Sequence, residues 1–175
     1  ALTHGESRPP VVEALAIAEL LTMNELVGAK LHIAHVSSRQ AANMLKRFQT
    51  TMDATGETCP QYLLFSEQDL AKHGSYAKIN PPLRTADDQQ ALWEALQDGT
   101  LISVTTDHSP FAVEEKKKAK SDFWAAPPGA PGIEELVPGM LDAVDKGKLT
   151  LEQAVNLMST NGAKRFGIYP QKGVI

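Results

Sequence analysis

Cysteine and long apolar runs are scarce in this chain of 175 residues. Its single cysteine, Cys59, excludes an internal disulfide framework and is typical of a reducing compartment. No segment reaches the roughly 18 uninterrupted apolar residues that a membrane span needs, and the N-terminus lacks the basic-then-apolar pattern of a signal peptide. These absences predict a cytoplasmic protein without a membrane partner.

Positive charge is scarce as well. Lysine and arginine number 17 against 21 aspartates and glutamates, which gives a formal net charge of −4. The one dense cationic run, Lys116-Lys117-Lys118 with Lys120, follows two glutamates and is predicted to be a solvated loop. The chain therefore has no basic footprint for nucleic acid, and no glycine-rich phosphate loop follows a predicted strand.

The composition, 42% hydrophobic and 22% charged, is that of one ordinary soluble domain with a sizeable core. Periodicity, capping residues and breakers predict helices over 11–27, 39–48, 85–96, 133–146, 151–158 and 162–166, and strands over 30–36, 52–59 and 101–106. Residues 61–84 are predicted to be a long connection. The loop from the third strand to residue 132 is long enough to be a functional lid or disordered. Because no hairpin signal joins the strands, they are predicted to be parallel, in a small doubly wound sheet or in part of a larger barrel.

Two histidines lie near the end of the first strand. Side chains alternate along a strand, so His32 and His35 are predicted to point to opposite faces, and only one of them can be a ligand where the strand opens into a loop. His35, at the carboxyl end, is the candidate metal ligand. His32 is predicted to be a core histidine with a hydrogen-bond partner, and the same interpretation stays open for His35.

The third strand carries a second candidate. Ser103, Thr105 and Asp107 are predicted to share a polar face that points into a barrel lumen or a cleft. Asp107 could bind a divalent metal and move a proton, while a turn or helix-capping aspartate remains the alternative. His108 has the opposite parity, which favours contact with a substrate or support of the site.

Three further positions stand out with less definite roles. Cys59 is predicted to be a free buried thiol rather than a nucleophile. Asn80 could recognise an amide or imide edge, or could be a turn asparagine before proline. Phe123-Trp124 could be the hydrophobic latch of a lid or a simple packing contact.

Taken together, the ordered motifs resemble those of the cyclic amidohydrolases, namely allantoinase, dihydroorotase and dihydropyrimidinase (hydantoinase). The match runs nearly end to end with consistent spacing. The matching segments are Ser7 to Pro10, His32 to Ser38, Glu57 to Pro60, Lys78 to Arg84, Thr106 to Pro110, Pro127 to Gly132 and Phe166 to Pro170.

The resemblance implies an α/β fold: a partial (β/α)8 TIM barrel of the metal-dependent amidohydrolase type, comprising roughly the last three strands with their helices. Residues 1–170 would be the C-terminal part of that barrel, and residues 171–175 the start of a following small β domain. The resemblance also implies a binuclear zinc centre, in which His35 matches the sixth-strand histidine and Asp107 the eighth-strand aspartate. No counterpart is visible for the first-strand His-x-His pair, the carboxylated lysine or the fifth-strand histidine, since the context of His4 matches the loop that follows that histidine.

The implied activity is hydrolysis of the C–N bond of a cyclic amide in a hydantoin-, allantoin-, dihydroorotate- or dihydropyrimidine-like ring. Asp107 would be both metal ligand and proton carrier, and Asn80, His108 and Gly132 would bind the substrate. The full-length parent is expected to be a homo-oligomer and this chain alone to be inactive. Gln61 departs from the histidine that many family members carry there. The alternative is a non-catalytic, amidohydrolase-like scaffold for interactions.

Overall fold

A computed structural model of the protein describes residues 2–118 and 122–174. The helices are α1 (Leu2–Ser7), α2 (Pro10–Val27), α3 (Arg39–Phe48), α4 (Pro60–Leu64), α5 (Glu67–His73), α6 (Ala86–Gln97), α7 (Val113–Lys118), α8 (Ile133–Asp145), α9 (Leu151–Val155) and α10 (Asn161–Arg165). The strands are β1 (Leu31–Ile33), β2 (Ala54–Thr58) and β3 (Ser103–Val104). In these described ranges, no helix is both long and apolar enough to cross a membrane.

Helix ends follow the capping residues of the sequence. Gly28, at φ 67°, ends α2 and returns its N–H to the carbonyl of Asn24, as a left-handed glycine cap does. The Ser38 side chain accepts from the N–H of Ala41 at the start of α3. The predicted capping box of Thr85 and Asp88 is present at the start of α6. The predicted bounds of α2, α3, α6 and α8 are therefore confirmed to within one or two residues.

The three strands form one parallel sheet in the order β1-β2-β3. His32 pairs with Thr55, and Glu57 pairs with Ser103, so these side chains lie on one polar face of the sheet. The opposite face packs against helices: a Cβ on Gly56 would lie 2.5 Å from the Leu45 side chain. The predicted parallel arrangement is confirmed, and Ser103 and Thr105 both lie beside Glu57 on the polar face. The alternation predicted to carry that face on to Asp107 does not apply, because β3 ends at Val104 and Asp107 has a left-handed backbone.

The core lies between the helix-facing side of the sheet and helices α2, α3, α6 and α8. Its fully buried large side chains include Leu21, Leu45, Leu92, Leu101 and Met140. Burying such side chains is the main favourable contribution to folding. The sheet is therefore covered on one side by helices and presents polar groups on the other.

Of the apolar residues that recur at helical spacing in α2, namely Val11, Leu15, Ala18, Leu21 and Leu26, only Leu21 is buried. Ala14, Ile17 and Leu21 face the core, whereas Leu15 and Leu26 are 61% and 93% exposed. The helix is apolar on both sides, so periodicity identified the helix without selecting its buried face.

Two segments predicted to be irregular contain helices. Residues 61–84 hold most of α4, all of α5 and a 3₁₀ turn over Gly74–Ala77, and α7 lies in the long loop after β3. The helices predicted over 151–158 and 162–166 are joined through a π-helical segment at Asn156–Thr160. Short helices of one or two turns depend on tertiary packing, which local patterns do not reveal.

The sequence predicted that the cationic run is solvated, but the structure buries one of its lysines. Lys116 is buried, and its ammonium donates to the backbone carbonyl of Lys78 at 3.1 Å. Burial, together with the nearby charge of Lys78, lowers the pKa of Lys116. Lys117 is exposed as expected, while the side chains of Lys118 and Lys120 lie outside the described part.

Candidate active site

His35 and Asp107 share an unusual backbone conformation. Each has a φ of 42°, and they are the two non-glycine residues of the described ranges in the left-handed region. Such a conformation costs a non-glycine residue on the order of 1–3 kcal/mol and persists only where surrounding contacts impose it. Strain of this kind clusters at functional sites, and here it falls on the two residues that the sequence singled out as metal ligands.

The parity argument for the two histidines needs correction. Strand β1 ends at Ile33, and the left-handed backbone at His35 interrupts the alternation of faces. His32 lies on the polar face of the sheet, the face predicted for the ligand, because it pairs in register with Thr55. Parity holds only within a strand and was extended two residues too far.

His32 has the hydrogen-bond partners that its structural interpretation predicted. Its Nε2 donates to Glu57 at 3.0 Å, and its Nδ1 lies 2.7 Å from the hydroxyl of Thr55. Thr105 donates to the other oxygen of Glu57 at 2.7 Å. Burial raises the pKa of Glu57, but the hydrogen bonds from His32 and Thr105 outweigh it and hold that pKa below its usual value. The polar face is thus bound together by an ionised carboxylate.

The turn after His35 is held by a buried ion pair. Glu13 of α2 accepts from the backbone N–H of Ser37 at 2.7 Å and from the hydroxyls of Ser37 and Ser38 at 2.7 and 2.9 Å. Arg84 donates to the Ser37 hydroxyl at 3.1 Å and to Glu13 at 3.4 Å. The two charged side chains are 13% and 6% exposed. The contacts connect α2, the His35 turn and the segment that follows Asn80.

The turn at Asp107 is held by neutral groups. Gln61 of α4 donates its side-chain amide to the carbonyls of Thr106 and Pro131, at 3.0 and 3.2 Å. His108 accepts at Nδ1 from the N–H of Gly132 at 3.1 Å. Two residues predicted to bind substrate, His108 and Gly132, are therefore in direct contact. Because Nδ1 accepts, a neutral His108 carries its proton on Nε2, on an exposed ring.

Gly132 has no room for a side chain. A Cβ there would overlap the carbonyl oxygen of Thr106 and would lie 2.8 Å from Nε2 of Gln61. Only glycine allows the loop to approach the end of β3 this closely. Its predicted place in the site therefore has a steric basis.

Asn80 is exposed and lies on a segment with several anchors. Tyr62 donates its hydroxyl to the carbonyl of Pro81 at 3.0 Å. The Lys78 ammonium donates to the carbonyls of Phe123, Trp124 and Ala126, at 3.2, 2.9 and 2.7 Å. Burial lowers the pKa of Lys78. The anchors leave the Asn80 side chain at the surface, without a contact to His108 or Gly132 in the described hydrogen bonds.

His4 and the aromatic pair Phe123-Trp124 form a packing cluster. The ring of His4 lies 5.4 Å from that of Phe123 and 5.8 Å from that of Trp124, edge to face. Nε2 of His4 lies 3.1 Å from the carbonyl oxygen of Ile79, and burial lowers the pKa of His4. The packing interpretation of the aromatic pair therefore describes its place in this structure, and His4 is fully buried beside the pair.

Cys59 is buried and free, as predicted. Burial raises the pKa of its thiol to about 12, and the nearby carboxylate of Asp107 acts in the same direction. The thiol is protonated at neutral pH and is a poor nucleophile.

The donor types fit a zinc site, but the described residues do not complete one. Imidazole and carboxylate are both zinc ligands, and His35 and Asp107 have no hydrogen-bond partner for their side chains among the described contacts. No group of three histidine, cysteine, aspartate or glutamate side chains is positioned to hold a metal within residues 2–118 and 122–174. Further ligands would have to come from elsewhere.

Known proteins match this chain over most of its length. The model of the amidohydrolase family matches residues 21–175. The chain belongs to this family. The D-hydantoinase of Rhizobium radiobacter is 39% identical over 98% of this amidohydrolase chain and 39% of the relative. The allantoinase of Rubrobacter xylanophilus is 38% identical over 96% of the chain and 37% of the relative.

A solved structure supports the same relationship. The dihydropyrimidinase from Brevibacillus agri has a TM-score of 0.93 at 37% identity, over 99% of this chain and 39% of that one. This amidohydrolase chain therefore spans about two fifths of the length of the relatives it matches.

Four residues around the strand ends were not singled out from the sequence: Glu13, Gln61, Lys78 and Arg84. Lys78 and Arg84 are the first and last residues of one matching segment, and Gln61 was noted only as a departure from the family pattern. For Lys78 and Arg84, the available signal was a charged residue at either end of a segment that resembles the family pattern. Their partners, however, are distant in the chain and become visible only in the fold.

Proposed function

We propose that the protein to which this chain belongs hydrolyses the C–N bond of a cyclic amide of the hydantoin, allantoin, dihydroorotate or dihydropyrimidine class. In this proposal β1, β2 and β3 are the last three strands of a (β/α)8 barrel, and residues 171–175 begin a small β domain. The supporting observation is the pair of left-handed residues, His35 and Asp107, at the ends of parallel strands. In barrel enzymes the active site lies at this end of the strands.

His35 and Asp107 would hold zinc through an imidazole nitrogen and a carboxylate oxygen. Zinc bound there would act as a Lewis acid and lower the pKa of water to about 7. The Asp107 carboxylate would accept the proton of the attacking water and return it to the ring nitrogen that leaves. Its exposed position beside the strand end allows it to reach both atoms.

His108 and Asn80 would orient the ring. The Nδ1 of His108 is engaged by Gly132, so its Nε2–H is available to donate to a substrate carbonyl oxygen. The Asn80 amide can both donate and accept, which matches the alternating N–H and C=O groups of an imide edge. The described ligands are two, and we therefore expect the chain alone to be inactive.

Ring opening of hydantoin, allantoin, dihydroorotate and dihydrouracil tests the activity, with zinc supplied to the chain and to the longer protein. We expect the longer protein to open at least one ring. Asp107→Asn should lower kcat by about 10²- to 10⁴-fold because the proton carrier is lost. Asp145→Asn, at the exposed end of α8, is the matched control and should leave kcat unchanged.

A longer protein that opens none of the four rings would contradict the proposal. Metal analysis then separates the remaining alternative. About two equivalents of zinc per chain are expected for the enzyme, whereas a scaffold protein would bind none. Cytoplasmic location and homo-oligomerisation remain predictions.

A further inference from the structure

We propose that Gln61 is a positioning residue that sets the placement of Asp107 and of the substrate loop at Gly132. The effect of Gln61 on catalysis rests on the proposed function. Its effect on the position of Asp107 and Gly132 is independent of that function. Gln61 is 7% exposed, and its side-chain amide donates to neither Asp107 nor Gly132. It would act through the backbone of the two residues that precede Asp107 and Gly132.

The side-chain amide of Gln61 uses both of its hydrogens. Nε2 donates to the carbonyl of Thr106 at 3.0 Å and to the carbonyl of Pro131 at 3.2 Å. Since both partners are acceptors, the amide can take only this orientation. Each carbonyl belongs to the peptide unit directly before a site residue, so a rotation of either peptide would move Asp107 or Gly132.

The bonds close a circuit around the strand end. From Thr106 the chain passes to Asp107 and His108, and His108 accepts the N–H of Gly132. Gly132 follows Pro131, whose carbonyl returns to Gln61. The circuit contains the proposed proton carrier and two of the proposed substrate contacts, and Gln61 is its one member from outside the two joined segments.

The backbone of Gln61 is fixed by the packing of helix α4. It occupies the second position of α4, after Pro60, where a proline is compatible with the first turn of a helix. Its neighbour Tyr62 is buried and bonded to Pro81, and Leu63 is in the core. The donor pair is therefore fixed relative to β2 and can transmit that position to the end of β3.

The carbonyl end of the same side chain is unpaired. Oε1 of Gln61 is buried and has no hydrogen-bond partner within the described residues. A buried acceptor without a partner is unfavourable. An apolar side chain would avoid this penalty, so the donor pair accounts for an amide at this position.

Gln61→Met tests the proposal, because methionine has similar length and no donor. We expect amide hydrogen exchange to accelerate about 10- to 100-fold in residues 106–109 and 130–133, where two hydrogen bonds are lost. Exchange in α3 should not change. Gln68→Met, at an exposed position of α5, is the matched control. Equal exchange in the Gln61 and Gln68 variants would overturn the proposal.

Gln61→His supplies a second variant if Gln61→Met fails to fold. Imidazole retains a donor, and we expect exchange in the same two segments to return at least halfway, on a logarithmic scale, to the parent rate. Exchange as fast as in Gln61→Met, or uniform acceleration over the whole chain, would contradict positioning. In the longer protein, Gln61→Met should lower kcat about tenfold or more, because small displacements of a catalytic group are costly.

The two hypotheses fail separately. If the longer protein opens no ring, the proposed function fails, while the exchange measurement still decides whether Gln61 positions Asp107 and Gly132. If the ring-opening activity is present and Gln61→Met changes neither local exchange nor kcat, the function stands and the positioning role is wrong.

Discussion

The turns at His35 and Asp107 have the same backbone strain and opposite kinds of support. Each residue has a φ of 42°. The His35 turn is held by the buried ion pair of Glu13 and Arg84, which are 71 residues apart. The Asp107 turn is held by a neutral amide, Gln61, and by the bond between His108 and Gly132. The same local conformation can therefore be imposed by charged or by uncharged contacts.

The difference lies in what happens when one partner is lost. A buried carboxylate without its cation keeps the full cost of its removal from water. A carbonyl that loses a neutral donor costs much less. Losing one contact of the His35 turn should therefore lower the free energy of unfolding more than losing one contact of the Asp107 turn. At the Asp107 turn, the main consequence should be a change in local geometry.

The largest expected effect is at the ion pair. Arg84→Met leaves Glu13 buried and uncompensated, and should lower the free energy of unfolding by about 3–5 kcal/mol. The corresponding change at the other turn, Gln61→Met, should cost about 1–3 kcal/mol. Urea denaturation measures both values.

Two further variants check the reason for this ranking. Arg39→Met removes a surface ion pair with Asp87 and should have a much smaller effect than Arg84→Met. Adding Glu13→Gln to Arg84→Met should recover part of the loss, since the stranded charge is removed. If Arg84→Met were no more harmful than Arg39→Met, the charged support would not carry the His35 turn.

A smaller effect should appear equally at both turns. At His35 and at Asp107, the glycine variant should be more stable than the alanine variant by about 1 kcal/mol, because glycine adopts a left-handed backbone without steric cost. Ala34→Gly, at a residue without positive φ, should show the opposite sign. Thermal unfolding of the paired variants gives the difference directly. A preference for alanine at either turn would mean that its strain is not intrinsic to φ.

The smallest effect on stability at neutral pH concerns the thiol of Cys59, which follows the central strand β2 between the two turns. The pKa of Cys59 is about 12 in the folded protein, against about 8.5 in an unfolded chain. At pH 8, iodoacetamide should label folded protein about a thousandfold more slowly than urea-unfolded protein. Because the folded pKa is the higher one, stability from this group is present below about pH 8.5 and declines as pH rises above it.

The labelling rates of Arg84→Met and Gln61→Met compare the two turns directly. The carboxylate of Asp107 contributes to the raised pKa of Cys59. Loosening the Asp107 turn with Gln61→Met should therefore lower that pKa and accelerate labelling of the folded protein, compared with a variant of equal stability. Rapid labelling of the folded parent protein would show that the thiol is accessible, and would contradict the burial of Cys59.

Local signals predicted much of the framework. The glycine after α2, the serine before α3 and the capping box at Thr85 each have a local effect, and the observed helix ends agree with them. The order of helices and strands without hairpin signals correctly predicted parallel strands. Helices α4 and α5 were missed because short helices depend on the contacts that stabilise them.

The sequence predicted where along the strands the two candidate ligands lie, while their roles remain predictions. His35 and Asp107 were selected as strand-end residues, and both lie there in the structure. The argument from alternating faces could not relate His35 to His32, because strand β1 ends at Ile33 and the left-handed backbone at His35 breaks the alternation. The roles of Gln61 and Arg84 were absent from the sequence interpretation, since their partners lie between 45 and 76 residues away.

The sequence by itself determined which chemical groups stand at the ends of the strands, because residue type, capping and strand order are local properties of the chain. Tertiary structure alone decided the left-handed conformation of His35 and Asp107, since that conformation is unfavourable locally and is imposed by distant contacts. It also decided that one turn is held by buried charge and the other by hydrogen bonds between neutral groups. Those contacts follow from which helices pack beside each strand end, and no short stretch of sequence contains that information.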